Sequence, residues 1–111
     1  MASPVLLAHE QRLLERVRQT VRQAEPDARL TLFGSRARGH STPESDWDLL
    51  IVLEGTVRPQ RADAVRHRLY DLALDTDTVL SAIICSRERW ESLRYRATPL
   101  HAQVAADGIA L

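Results

Sequence analysis

Apolar residues along this chain follow two rhythms, one spaced like a helix and one packed into short runs of strand length. Leu6, Leu13, Leu14, Val17 and Val21 recur three and four apart, which predicts an amphipathic helix over about 4–24. Arg12, Arg16, Arg18 and Arg22 fall largely outside that stripe and read as a solvated face. Ser3 and Pro4 suit a helix start, and Glu25-Pro26-Asp27 ends the helix because proline cannot continue it. Residues 29–33 form a short strand, Gly34 and Ser35 turn into a brief helix or loop through Gly39, and the polar stretch from His40 to Ser45 is a loop. A longer strand follows over 46–53. Its run Leu49-Leu50-Ile51-Val52-Leu53 does not alternate, so both of its faces must be covered. Ala62, Val65, Leu69, Leu72 and Ala73 mark a second long helix over 59–74, and Thr78 to Cys85 reads as a third strand. Ser86 suits an N-cap, with Glu88 and Arg89 in the first turn of a helix reaching about Tyr95. Thr98-Pro99 opens a last helix to about Ala106, closed by Asp107-Gly108. The order helix, strand, strand, helix, strand, helix, helix predicts an α/β (α+β) fold: a small mixed sheet of three or four strands flanked by helices.

Composition narrows the function more than the fold. The 111 residues suggest one domain over 1–111. The formal net charge of zero gives no basic surface of the kind a general nucleic-acid binder needs, so direct nucleic-acid binding is not expected. No apolar run has the length to cross a bilayer, the first residues lack the features of a signal peptide, and Cys85 has no second cysteine to pair with. These points predict a cytoplasmic protein with no membrane partner. All 15 basic residues are arginine. The lack of lysine excludes a P-loop of the Gly-Lys-Ser/Thr type, Schiff-base chemistry and a lysine-dependent kinase site.

The chemistry concentrates in Leu32-Phe33-Gly34-Ser35-Arg36-Ala37-Arg38-Gly39 and in Ser45-Asp46-Trp47-Asp48-Leu49. Ten residues separate Ser35 from Asp46. In an extended strand alternate side chains share a face, so Asp46 and Asp48 point one way and Trp47 the other. Two adjacent carboxylates repel each other unless a cation lies between them, and Mg²⁺ takes oxygen ligands of this kind. A glycine turn lets backbone N–H groups approach a phosphate. A phosphate cradle beside a carboxylate clamp equips a site for phosphoryl or nucleotidyl transfer.

Gly-Ser followed at this spacing by Asp-x-Asp resembles the nucleotidyltransferase superfamily of the polymerase-β type. The fuller strings Gly-Ser-Arg-Ala-Arg-Gly and Ser-Asp-x-Asp-Leu resemble its minimal nucleotidyltransferase (MNT) branch, strongly over Leu32 to Leu53 and loosely elsewhere. The resemblance implies the nucleotidyltransferase fold and transfer of a nucleoside monophosphate, AMP from ATP, with two Mg²⁺ ions held by three carboxylates. It also implies a co-encoded HEPN-domain toxin as partner, with the MNT protein as antitoxin acting by adenylylation of a partner hydroxyl. The alternative is a non-catalytic module that neutralises the toxin by binding. A small-molecule nucleotidyltransferase would need a further domain for its acceptor.

On this reading Asp46 and Asp48 are catalytic metal ligands. The third carboxylate should sit on the neighbouring strand and face the same side. Asp77, which leads into Thr78-Val79-Leu80-Ser81, resembles that ligand; Asp75 has the same parity and is its rival, and a site with no working third carboxylate is the remaining alternative. Gly34, Ser35 and Arg38 are the expected nucleotide-binding residues, with Arg36 the other cation of the turn. His9, His40, His67 and His101 have no ligand spacing, and Cys85 and Trp47 read as core. Trp90, Tyr95 and Leu100 are either core or a docking patch. A homodimer or a hetero-oligomer with the partner would cover the sheet edge.

Overall fold

The computed structural model describes residues 6–111. Ten elements follow one another: α1 (Ala8–Ala24), β1 (Arg29–Phe33), α2 (Ser35–Arg38), β2 (Trp47–Leu53), α3 (Pro59–Thr76), β3 (Leu80–Ser86), α4 (Arg87–Trp90), α5 (Leu93–Arg96), α6 (Pro99–Asp107) and β4 (Ile109–Ala110). The sheet order is β3-β2-β1-β4. β2 lies antiparallel to β1 and parallel to β3, with α3 as the crossover, while β4 runs antiparallel to β1. The sheet is therefore mixed and flanked by helices, an α+β arrangement. Among the described residues no helix is long and apolar enough to cross a membrane.

The unbroken apolar run of β2 has the expected cause. Leu49 to Leu53 are all buried, because β2 is an inner strand covered on both sides. One face carries Leu49, Ile51 and Leu53 with Trp47, and α1 and α3 press Leu14, Val17, Val21, Val65, Leu69 and Leu72 onto it. Each such side chain contributes roughly 1.5–3 kcal/mol by leaving water. The other face carries Leu50 and Val52 with Phe33 and Cys85, packed by Trp90, Leu100 and Val104. Here the C-terminal turns form the cover. It lies over the Leu50–Val52 end of the sheet and makes room for the carboxylates at the start of β2.

Several boundaries differ from the sequence expectation. α1 starts at Ala8, with Leu7 as its N-cap; Ser3 and Pro4 lie outside the described residues. Glu10 Oε1 accepts from the Leu7 N–H at 2.9 Å, which meets one of the donors a helix start leaves free. The expected helix after Ser86 is two single turns. Ser86 accepts from the Arg89 N–H and Ser92 from the Tyr95 N–H, so a second N-capping serine restarts the chain. Thr98 caps α6 through the His101 N–H as expected. β4 has two residues, too few to show a period. It is fixed by its pairing with Thr31 and Leu32 and by the burial of Ile109 and Leu111 against the α1/α3 face.

Candidate functional site

The site forms where β1 ends and β2 begins. Phe33 lies opposite Asp48 in the antiparallel register, so the residue after Phe33 is carried past the Asp48 carboxylate. That residue is Gly34, with φ +79°. A Cβ at Gly34 would overlap Asp48 Oδ2, so both its backbone angle and its contact require glycine. Gly34 thus brings the turn and the carboxylate together. It is also the N-cap of α2, and its carbonyl accepts from the N–H groups of Ala37 and Arg38. The first N–H groups of the turn, those of Ser35 and Arg36, are the ones a helix start leaves without intrahelical partners. Gly39 closes α2 in the left-handed region at φ +75°.

Asp46 and Asp48 share the face away from α1 and α3, as the strand period requires. Asp46 is exposed and Asp48 is half-buried. Partial burial pushes the Asp48 carboxyl above its ordinary range, the Asp46 charge adds to this, and Arg38 opposes it. Arg38 also lies 3.5 Å from Asp107 Oδ2, so it stands between the carboxylate pair and the end of α6. Trp47 points to the opposite face and is buried.

Arg36 is not available to a ligand in this arrangement. It is 8 % exposed and donates to Glu10 Oε2 at 2.7 Å and to the carbonyls of Pro43 and Ser45. Its guanidinium stacks 4.2 Å from the centre of the Trp47 ring. It therefore ties α1 and the loop before β2 to the sheet, and fixes the approach to Asp46. The sequence named Arg36 only as a cation of the turn; its pairing with Glu10, 26 residues away, left no local signal.

The expected third carboxylate, Asp77, stands at the end of α3. α3 runs on to Thr76, two residues further than its apolar period, and Asp77 ends it in the left-handed conformation (φ 52°, ψ 48°). The Asp77 and Thr78 N–H groups both turn back to the Ala73 carbonyl. Asp tolerates this conformation better than most residues. Asp77 therefore belongs to the helix end, and β3 begins only at Leu80. Asp75 pairs with Arg16 of α1 at 2.8 Å, on the α1/α3 side of the sheet. Neither belongs to β2 or β3. The β3 residue opposite Asp48 is Ser81, and one step back along the same face comes Val79. Its carbonyl accepts from the Trp47 N–H at 2.9 Å, which locks it beside the start of β2.

Two carboxylates on one face, with phosphate oxygens from a nucleotide, make a donor set that suits one Mg²⁺. Among the described residues no three His, Cys, Asp or Glu side chains are placed to share an ion. The remaining histidines and Cys85 form no site either: Cys85 is buried, His40 and His67 are exposed, and His101 stacks on Trp90 at 4.6 Å. A separate open cleft of about 810 Å³ lies between α1, the end of α3 and the loop at 41–43, lined by Leu13, Arg16, Arg36, Trp47 and Asp75. It contains neither Asp46 nor Asp48.

A glycine turn seated on a two-aspartate strand start in a small mixed sheet defines a nucleotidyltransferase-type protein. The family model described as "Nucleotidyltransferase domain" matches residues 14–97, and the chain belongs to that family. A search of curated proteins found no match. Among solved structures, a toxin–antitoxin complex with AMP-PNP matches with a TM-score of 0.62 at 22% identity, over 86% of this chain and 69% of the other. A variant of the MntA–HpeT toxin–antitoxin with two aspartate-to-glutamate changes gives 0.61 at 20% identity, over 86% and 69%. The tri-AMPylated Shewanella oneidensis HEPN toxin in complex with MNT antitoxin gives 0.59 at 20% identity, over 90% and 69%. At these identities the likeness is one of fold.

Proposed function

We propose that this chain is an MNT-type antitoxin that binds ATP with Mg²⁺ and transfers AMP to a hydroxyl of a co-encoded HEPN-domain toxin. The observation that carries this reading is the seating of Gly34 against Asp48, which sets a phosphate-approachable turn beside a carboxylate pair. Support also comes from the fold shared with an MNT antitoxin whose HEPN partner is AMPylated. The Gly34–Ser35 turn holds phosphate oxygens, and Arg38 offers the triphosphate a cation within the same turn. Asp46 and Asp48 would hold the Mg²⁺, which would supply charge neutralisation and orientation of the triphosphate. In the reaction the partner's hydroxyl oxygen bonds to the α-phosphorus. The bond from that phosphorus to the α–β bridging oxygen breaks, pyrophosphate leaves, and the hydroxyl proton passes to solvent.

The test is transfer from ATP labelled at the α-phosphate to the HEPN partner, with and without Mg²⁺. The Asp46→Asn/Asp48→Asn double variant should lose the label, and retained label would refute the assignment. A second reading, neutralisation by binding alone, is favoured by one observation: beside the aspartate pair stand Val79, just before β3, and Ser81 of β3, not a carboxylate. Toxin inhibition that survives in the double variant would select it.

A further inference from the structure

The family resemblance calls for three carboxylates and two Mg²⁺ ions, and the residues here do not fit that set. From the geometry of β2 and β3 we infer that this chain holds a single divalent cation with its nucleotide, because Val79, just before β3, and Ser81, within it, stand where a third carboxylate would face Asp46 and Asp48. The inference rests on the proposed nucleotide site and refines it.

Three observations carry it. First, the parallel register sets Trp47 beside Leu80 and Asp48 beside Ser81. Trp47 and Leu80 turn to the α1/α3 core, so Val79 and Ser81 turn to the aspartate face. Second, Val79 is anchored there by the hydrogen bond from the Trp47 N–H, yet its side chain is 57% exposed. An apolar side chain this open at a strand start gains little from packing. The position has room for a carboxylate without displacing core. Third, the acidic residues nearest in sequence lie outside the strand: the Asp77 backbone closes α3, and Asp75 pairs with Arg16.

Among the described residues no third acidic side chain is grouped with Asp46 and Asp48 to hold a second cation or to receive the acceptor's proton beside them. General-base assistance is worth on the order of 10²–10⁴ in rate. Transfer by this chain is accordingly slow. An antitoxin that modifies each toxin molecule once can work at such a rate.

The test is to count Mn²⁺ ions bound to the chain with a non-transferable ATP analogue, by titration calorimetry and by electron paramagnetic resonance. The parent chain should bind one ion and Val79→Asp two, with a spin–spin coupled signal; transfer to the HEPN partner should rise at least tenfold in that variant. Two ions in the parent, or an ion lost in Asp77→Asn, would overturn the inference. So would a folded Val79→Asp that still binds one. If Val79→Asp does not fold, Val79→Asn keeps the shape without the charge, and the inference predicts one ion there. A parent chain that binds neither ion nor analogue would instead overturn the proposed function.

Discussion

Asp48 has conflicting requirements. Its carboxylate is half-buried, faces Asp46, and touches a glycine that could not be any other residue. Because its carboxyl is raised above the ordinary range in the fold, the folded protein binds that proton more tightly than the unfolded chain. Its contribution to stability is present below the ordinary carboxylate pKa and is lost as pH rises through the raised one. Without divalent cation, Asp48→Asn should stabilise the protein by on the order of 0.5–1 kcal/mol at pH 7. It should also flatten this part of the thermal stability profile between pH 4 and 7; an unchanged or lowered melting temperature would count against the repulsion. Gly34→Ala should cost about 1–3 kcal/mol in denaturant melts, since the φ is strained for any Cβ, and should weaken nucleotide binding by displacing Asp48. Arg36→Ala leaves the largely buried Glu10 carboxylate without its ion-pair partner, and should cost about 3–5 kcal/mol. If Arg36 held the nucleotide instead, that variant would keep its stability and lose affinity. Gly34, Asp46 and Asp48 were readable in the sequence because local rules set them: a turn, a strand period and charge repulsion. Arg36 and Asp77 were not. The partners of Arg36 come from distant segments, and Asp77 depends on where α3 stops.

At the scale of elements, period and capping told most of the story. The stripe Leu14, Val17 and Val21 faces the core as expected, and Ser86 and Thr98 cap the turns they were expected to cap. The failures occur where a terminus has two good solutions. The apolar period of α3 fades after Ala73, but the backbone runs on to Thr76 before Asp77 turns it. Those extra residues shift the start of β3 from Thr78 to Leu80 and leave Asp77 three residues before the strand. Two helices are held over the sheet by one polar clamp. Arg61 of α3 donates to both Glu25 oxygens, at 3.0 and 2.6 Å, and to the carbonyls of Glu54 and Thr56. These hydrogen bonds hold Glu25 below its ordinary range, outweighing its partial burial. Here the sign is opposite to that of Asp48: the stability is present above the ordinary carboxylate pKa and lost as pH falls through the lowered one. Glu25→Gln should cost about 1–3 kcal/mol at pH 7 and less at pH 3, measured in paired urea melts. A cost that does not shrink with acid would mean the loss is one of packing.

For the whole molecule, division of labour between the two sheet faces explains the site. α1 and α3 seal one face. The C-terminal turns, through Trp90, Leu100 and Val104, seal only part of the other. The start of β2 and the residues before β3 stay open, and a small chain with an open aspartate pair needs an acceptor that comes to it. The proposed HEPN partner would bring its hydroxyl to this open side. The most direct measurement is the intact mass of the HEPN partner after incubation with this chain, Mg²⁺ and each nucleoside triphosphate in turn. With ATP the partner should become heavier by AMP units, slowly, and the gain should be lost with the Asp46→Asn/Asp48→Asn variant. A partner of unchanged mass that still co-purifies, with its toxicity neutralised, would contradict transfer and leave binding as the function.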